Sequence, residues 1–428
     1  MAREMKNSGV KWIDVIPVNW QVKPLKTQFS FGKGLSITKA DLVDEGSPVI
    51  SYGQIHSKHN TGTNVTDDLI RFIPSTIAFN QSLVKHGDFI FADTSEDLDG
   101  CGNCVYMNLN TPIYAGYHTI ILHQKSGNDD NRYLAYLFKT DCWRKQIRTD
   151  VNGVKLFSIS QNILKRTNII LPPLPEQKAI ADLLDKKCAE IDGLLADLEA
   201  EVKTLAEYKK SIIAETVTRG LNPNAPMKNV PLGWIDFIPK HWEIARIASV
   251  YSVRNEKVSD KDYPPLSVTM KGIVPQLESA AKTKHGDDRK LIRKGDFVIN
   301  SRSDRRGSCG ISDYDGSCSL INTVLAPREE MNPRYYNWLF HTSSFADEFY
   351  KWGYGIVDDL WTTNWGAMRR IQIPVPPLDE QEEIASYLDN KILQIDKTIA
   401  DKQTQIETLK AYKSSLIYEY VTGKKQVI

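Results

Sequence analysis

Between Lys282 and Arg306 the sequence gathers nine basic side chains (Lys282, Lys284, Arg289, Lys290, Arg293, Lys294, Arg302, Arg305 and Arg306) against four acidic ones. The stretch ends in Ser301-Arg-Ser-Asp-Arg-Arg-Gly-Ser308. Guanidinium forks beside hydroxyls on a flexible backbone suit phosphate oxygens and the O6/N7 edge of guanine. The plainer alternative is a solvated basic loop. A second polar run, Ser51-Tyr-Gly-Gln-Ile-His-Ser-Lys-His-Asn60, holds Gln54 and Asn60, carboxamides able to pair bidentately with adenine, beside His56 and Lys58. Where the first half of the chain matches the arginine loop it is acidic, Ala92-Asp-Thr-Ser-Glu-Asp-Leu-Asp99. DNA contact there falls to Thr94, Ser95 and Asn103, or to carboxylates accepting from cytosine N4. The loop 150–155 with Lys155, and its equivalent 354–364 with Tyr354, Thr362 and Asn364, are expected on the same edges. Lys85 and Lys271 complete the candidate DNA-binding set.

Catalytic patterns are missing. There is no G-x-x-x-x-G-K-[ST] phosphate loop, no G-x-G-x-x-G after a strand and no H-E-x-x-H. Asn222-Pro223-Asn224 is not the aromatic-ended Asn-Pro-Pro motif of base methyltransferases. Glu201-Val-Lys203 has the outline of a nuclease E-x-K but lies inside a helical stretch. Cys101 and Cys104 form one C-x-x-C without a second pair or nearby histidines, which is weak support for zinc, and six cysteines in 428 residues do not suggest a disulfide scaffold. The expectation is binding without catalysis, cofactor or metal.

The element that must position these residues is Glu176–Arg219. Leu184, Ile191, Leu198, Leu205 and Ile212 recur every seven residues, and Ala181, Cys188, Leu195 and Val202 sit three ahead of the first four. That 3,4 alternation predicts a helix burying one narrow stripe against another helix. Its 44 residues would span roughly 66 Å. The partner lies later in the chain. Leu171-Pro-Pro-Leu-Pro-Glu-Gln177 returns as Val375-Pro-Pro-Leu-Asp-Glu-Gln381, and behind it runs a second seam of Ala385, Leu388, Ile392, Ile395, Ile399, Ile406, Leu409 and Leu416. Lys402 interrupts that seam where the first copy has Leu198.

The repetition extends to the rest of the chain. Trp12-Ile-Asp-Val-Ile-Pro17 matches Trp234-Ile-Asp-Phe-Ile-Pro239; Lys85-His-Gly-Asp-Phe-Ile90 matches Arg293-Lys-Gly-Asp-Phe-Val298; Cys101-Gly102 matches Cys309-Gly310; Arg132-Tyr133 matches Arg334-Tyr335. Four blocks in the same order define a tandem pseudo-repeat. Short β-type runs are read at Ser47–Gly53, Ile70–Ile73, Asp88–Ala92, Ala115–His123, Leu266–Thr269, Asp296–Ser301 and Leu320–Ala326. One helix is expected in each globular part: Arg132–Ile147 capped by Asn131, and Arg334–Tyr350 opened by Asn332-Pro333. Asp379, three before Glu382, reads as a capping box for the second long helix, and Gly220 as the end of the first. The fold class is α+β, two similar globular domains separated by two long antiparallel coiled-coil helices. The boundaries are 1–171, 172–220, 221–375 and 376–424.

With P-P-L-x-E-Q followed by a long helix at 172–177 and 376–381, the W-I-D-x-I-P openings and the G-D-F segments, the chain resembles the DNA-specificity subunits of type I restriction–modification systems. The resemblance covers essentially the whole sequence. It implies two target-recognition domains, each reading one half of a split DNA site, with the two helices antiparallel between them as a spacer. It also implies two methyltransferase subunits on those helices and motor-nuclease subunits joined through them. The alternative is a two-headed coiled-coil scaffold without base readout; a third reading is a specificity module detached from a fused enzyme. Charge is balanced, 54 basic against 53 acidic residues, so net charge alone names no partner. Under the resemblance, methyltransferase partners supply part of the DNA grip. No signal-like segment and no run of 18 apolar residues occurs, and the expected location is the cytoplasm.

Overall fold

A computed structural model describes residues 3–125, 129–276, 286–355 and 361–427. Lys282 and Lys284 of the basic stretch, and 356–360 of the second-half loop, lie outside the described residues. The chain forms two compact units, Met1–Asp197 with Gln405–Ile428, and Leu198–Thr404. The units therefore divide each long helix instead of following the globular boundaries.

Both units are built on the same antiparallel sheet. In the first the order is Cys104–Tyr106, Phe89–Ala92, Thr119–Gln124, Phe29–Lys33. In the second it is Cys309–Ile311, Phe297–Asn300, Asn322–Pro327, Tyr251–Val253. Phe89 stands opposite Leu122, and its counterpart Phe297 opposite Leu325. The central strands are buried on both faces. Phe89 and Phe91 point into the core shared with the helices, whereas Ile90 and Ala92 enter a second core with Ile50, Ile55 and Val105. Such strands carry no alternation of polar and apolar residues, because neither face meets water.

The long helices span Leu174–Arg219 and Leu378–Val421. Along the seam Leu184, Ile191, Leu388 and Ile395 are buried, while Leu198, Leu205 and Leu409 are half-buried where the stripe has only one helix to pack on. Each fully buried leucine stabilises by about 1.5–3 kcal/mol. In the first unit Lys413 Nζ meets Asp192 Oδ1 at 2.6 Å, and in the second Lys209 Nζ meets Asp396 Oδ1 at 2.6 Å, so the segments pair antiparallel in both. Lys402, the interruption, pairs with Glu201.

The repeated motif turns out to be a joint. Glu176 accepts from Trp20 Nε1, and Glu380 from Trp242 Nε1, at 3.0 and 2.9 Å. Gln177 takes the Asp130 amide and donates to Pro172 O, and Gln381 does the same with Asn332 and Pro376. Tyr133 donates to Val421 O and Tyr335 to Val217 O, satisfying carbonyls at the end of the other long helix. Gly220 and Gly423, at φ of +75° and +70°, end the helices; a Cβ there would come within 3.2 Å of Trp242 and 3.1 Å of Trp20.

Several local expectations are corrected. The single helices become pairs, Asn131–Lys139 with Asp141–Arg148, and Pro333–Phe340 with Ser343–Lys351. Thr140 and Thr342 take extended backbone between or beside them, their hydroxyls bonded to Leu137 O and Leu339 O. The first pair is capped by Asp130 instead of Asn131, since the Asp130 carboxylate accepts from the Arg132 amide. Asp379 lies inside the first turn of its helix, so it favours the positive end of the dipole without capping it. Ala115–His123 divides into Ile113–Ala115 and Thr119–Gln124, and Ser47–Gly53 ends as strand at Ile50.

Candidate nucleic-acid interface

In the first unit the chain leaves Phe89–Ala92 and makes a two-residue strand, Thr94–Ser95, paired antiparallel with Phe157–Ser158. Ile159 N donates to Asp93 O at 2.7 Å, fixing the start of the next segment. The polar run folds onto the same edge. Ser51 begins the turn of helix Tyr52–Ile55, with Gln54 Oε1 accepting from the Ser51 amide at 3.1 Å. His56 Nε2 donates to Thr94 O at 2.8 Å, which leaves Nδ1 to accept from Asn103 Nδ2 at 3.1 Å. Arg144 then holds Asn103 Oδ1 at 2.7 Å. Asn60 donates to Ile55 O at 2.7 Å and accepts from Lys139 Nζ at 3.3 Å.

The structure thus brings together Gln54, His56, Asn60, Thr94 and Ser95, but as supports of one another. Thr94 and Ser95 are buried, and the Thr94 hydroxyl donates to Asp93 Oδ1 at 2.8 Å. Lys58 and Lys155 stand exposed. Lys85 is exposed at the opposite end of strand Phe89–Ala92, in the turn closed by its own amide on Asp88, so it is not gathered with the others. The acidic loop is partly answered by Arg148, which donates to Asp99 O at 2.9 Å.

The second unit repeats the edge with different side chains. Arg302 bridges to Thr362, and Tyr354 to Thr362, in antiparallel backbone pairing. Ser303 N donates to Trp361 O and Thr363 N to Ser301 O. Asn364 Nδ2 donates to Tyr354 Oη at 2.8 Å, while its Oδ1 caps the helix Trp365–Met368. Arg302 and Arg305 flank Asp304 at 3.4 and 3.7 Å. Arg306 pairs with Asp347 and lies 5.7 Å from the centroid of the Tyr350 ring. Burial pushes the Tyr350 phenol upward, so it stays neutral beneath that guanidinium. Lys271 is exposed at the tip of the hairpin Leu266–Thr269/Gly272–Pro275. Gly272 backs so closely onto Gly310 that a Cβ there would lie 2.8 Å from its Cα. This edge offers three guanidiniums, a phenol and hydroxyls, the groups expected for phosphate and guanine contact.

Sequence reasoning passed over exposed apolar residues on these loops. Val154 is 94% exposed beside Lys155, Met270 73% beside Lys271, and Leu320 and Ile321 lie open near Thr323. For Val154 and Met270 the available signal was an apolar residue beside Gly and Lys, whereas Leu320 was expected to open a strand that begins only at Asn322. Cys101 and Cys104 are buried free thiols, and no metal-holding group of His, Cys, Asp or Glu occurs among the described residues. No described helix is long and apolar enough to cross a membrane.

Each unit is α+β, with an antiparallel sheet, a loop-built polar edge and its own segments of both long helices, and a chain that carries this plan twice has the organisation of a duplicated DNA-reading protein. The family model described as the type I restriction modification DNA specificity domain matches residues 17–204 and again 239–409. The chain belongs to that family and is a specificity subunit carrying two DNA-recognition domains. It is 24% identical over 326 residues to the type I restriction enzyme MjaVIII specificity subunit of Methanocaldococcus jannaschii, covering 72% of this chain and 73% of that one. A second protein of that organism is 24% identical over 436 residues, 97% of this chain and 96% of its own. The fold matches the HsdS subunit from Thermoanaerobacter tengcongensis with a TM-score of 0.53 at 17% identity, over 96% of this chain and 98% of that one. A chain from a structure of type I R-M complex assembly and conformational transition matches with a TM-score of 0.72 at 16% identity, over 96% and 99%.

Proposed function

We propose that this chain reads a split DNA site, one half-site by each unit, and recruits two methyltransferase subunits and, through them, motor-nuclease subunits. Residues 1–171 and 221–375 act as the target-recognition domains, with 172–220 and 376–424 as the spacer helices. Methyl transfer and cleavage belong to the partners, and the chain itself selects the sequence in the cytoplasm. The observation that supports this reading is the repeated edge: Thr94 pairs with Ser158 in one unit and Arg302 with Thr362 in the other, at equivalent places beside the two matching sheets. The same scaffold presents different side chains, so the two half-sites need not be related by symmetry.

Arg302, Arg305, Arg306, Tyr354, Thr362 and Asn364 serve the second half-site, with Lys271 beside them. Lys58 and Lys155 contact the first directly, while Gln54, His56, Asn60, Thr94 and Ser95 shape the loops that carry them. Lys85 is a backbone phosphate contact at most. Affinity rests on phosphate contacts and falls with salt. The test is co-expression of the full chain with its methyltransferase subunit and genome-wide mapping of methylation. A split motif dependent on this chain is expected; a stable complex that methylates no split motif would favour a protein scaffold.

A further inference from the structure

The second unit holds a cleft of about 340 Å³ on the edge just described, walled by Asn255, Lys290, Leu320, Ile321, Asn364 and Trp365 among others. Its polar groups differ in how far they are committed. Asn364 is engaged at both ends, on Tyr354 and on the helix it caps. Lys290 donates to Asn322 O at 2.6 Å, and burial lowers its pKa. Asn255 is exposed, and its carboxamide has no hydrogen bond to other described residues. Leu320 and Ile321 are 39% and 44% exposed.

The first unit treats the same place differently. Gln161 stands 204 residues before Trp365 and donates Nε2 to Gly32 O at 3.0 Å, tying its helix to the strand. Lys165 lies 5.2 Å from the centroid of the Phe31 ring beside it. Trp365 makes no matching side-chain bond to a strand carbonyl among the described residues, and in the second unit it lines a cleft instead.

We propose that this cleft reads an A·T pair in the second unit's half-site, an inference that rests on the function proposed above. Asn255 offers a donor and an acceptor side by side, the match to adenine N7 and N6. Leu320 and Ile321 pack on the C5-methyl group, which thymine alone carries in the major groove. A phosphate fits less well, because the one cation is already hydrogen-bonded and two walls are apolar.

The test maps genomic methylation by the full chain with its methyltransferase subunit, as wild type, Asn255→Ala and Ile321→Ala. Asn255→Ala is expected to lose discrimination at a single A·T position of one half-site, by roughly 5- to 150-fold. Ile321→Ala relaxes the same position, and the other half-site stays unchanged in both, which also shows that the variants fold. An unchanged motif, or uniform weakening at every site with the motif intact, would overturn the assignment. If the wild-type chain directs no split motif, the proposed function fails first and this inference with it.

Discussion

Trp20 Nε1 donates to Glu176 Oε2 at 3.0 Å across 156 residues of sequence, and Trp242 makes the same bond to Glu380 at 2.9 Å. The indoles are fully buried, and each also packs on the glycine that ends the other long helix. One residue pair therefore fixes three elements in each unit: the N-terminal hairpin region, the start of one long helix and the end of the other. Glu176→Ala leaves the indole N–H unpaired and also removes the carboxylate from Arg3, 2.6 Å away. Unfolding of the unit in urea is expected to shift by about 1.5–3 kcal/mol, the usual worth of a hydrogen bond to a charged group.

The paired lysines and aspartates of the long helices are tested by charge exchange. Asp192→Lys places two cations together at Lys413, whose side chain is 14% exposed, and costs about 1 kcal/mol. Adding Lys413→Asp restores the pair. Urea midpoints around the double-mutant cycle are expected to show coupling, whereas strictly additive effects would mean the pair contributes nothing.

Lys139 sets a pH dependence. Burial brings its pKa down from 10.5 to about 8, with Arg144 and Lys413 adding to the effect and Cys104 opposing it. A folded pKa below the unfolded one means the charged form is penalised: the cost is fully present below pH 8 and is relieved as pH rises from about 8 to 10.5. Lys139→Met removes the penalty along with the hydrogen bond to Asn60. The stability of this variant relative to wild type is expected to be greatest at pH 7 and to shrink by pH 9.5, as read from thermal unfolding of the two proteins side by side. A difference that grows with pH would contradict the burial argument.

The arginine loop belongs to one unit, so its loss is expected to be one-sided. Replacing Arg302, Arg305 and Arg306 by Ala abolishes selectivity at one half-site and leaves the other as it was. Arg305→Ala alone is expected to lower the slope of log affinity against log salt by about one, the mark of a single phosphate contact. Competition between duplexes with one or the other half-site scrambled measures both effects.

The long helices were legible because a heptad seam states its own partner: Leu184 and Leu388 occupy equivalent places in two copies of one pattern, and both are buried. The joint was visible as P-P-L-x-E-Q but not its purpose, since the partners of Glu176 and Gln177 lie at Trp20 and Asp130, far off in sequence. The helix breaks at Thr140 and Thr342 were hidden because each lies between two amphipathic stretches that read as one. The polar run 51–60 shows the hardest limit. A carboxamide that reads adenine and one that closes a turn are the same residue, and only the neighbours of Gln54 and Asn60 separate the two uses.

The most direct measurement is the methylation map of a host expressing the methyltransferase subunit with and without this chain. A two-part motif with an unread gap is expected, present only when the chain is present, whose halves change independently under substitutions in one unit or the other. Methylation that is continuous, or that persists unchanged when the chain is absent, would contradict it.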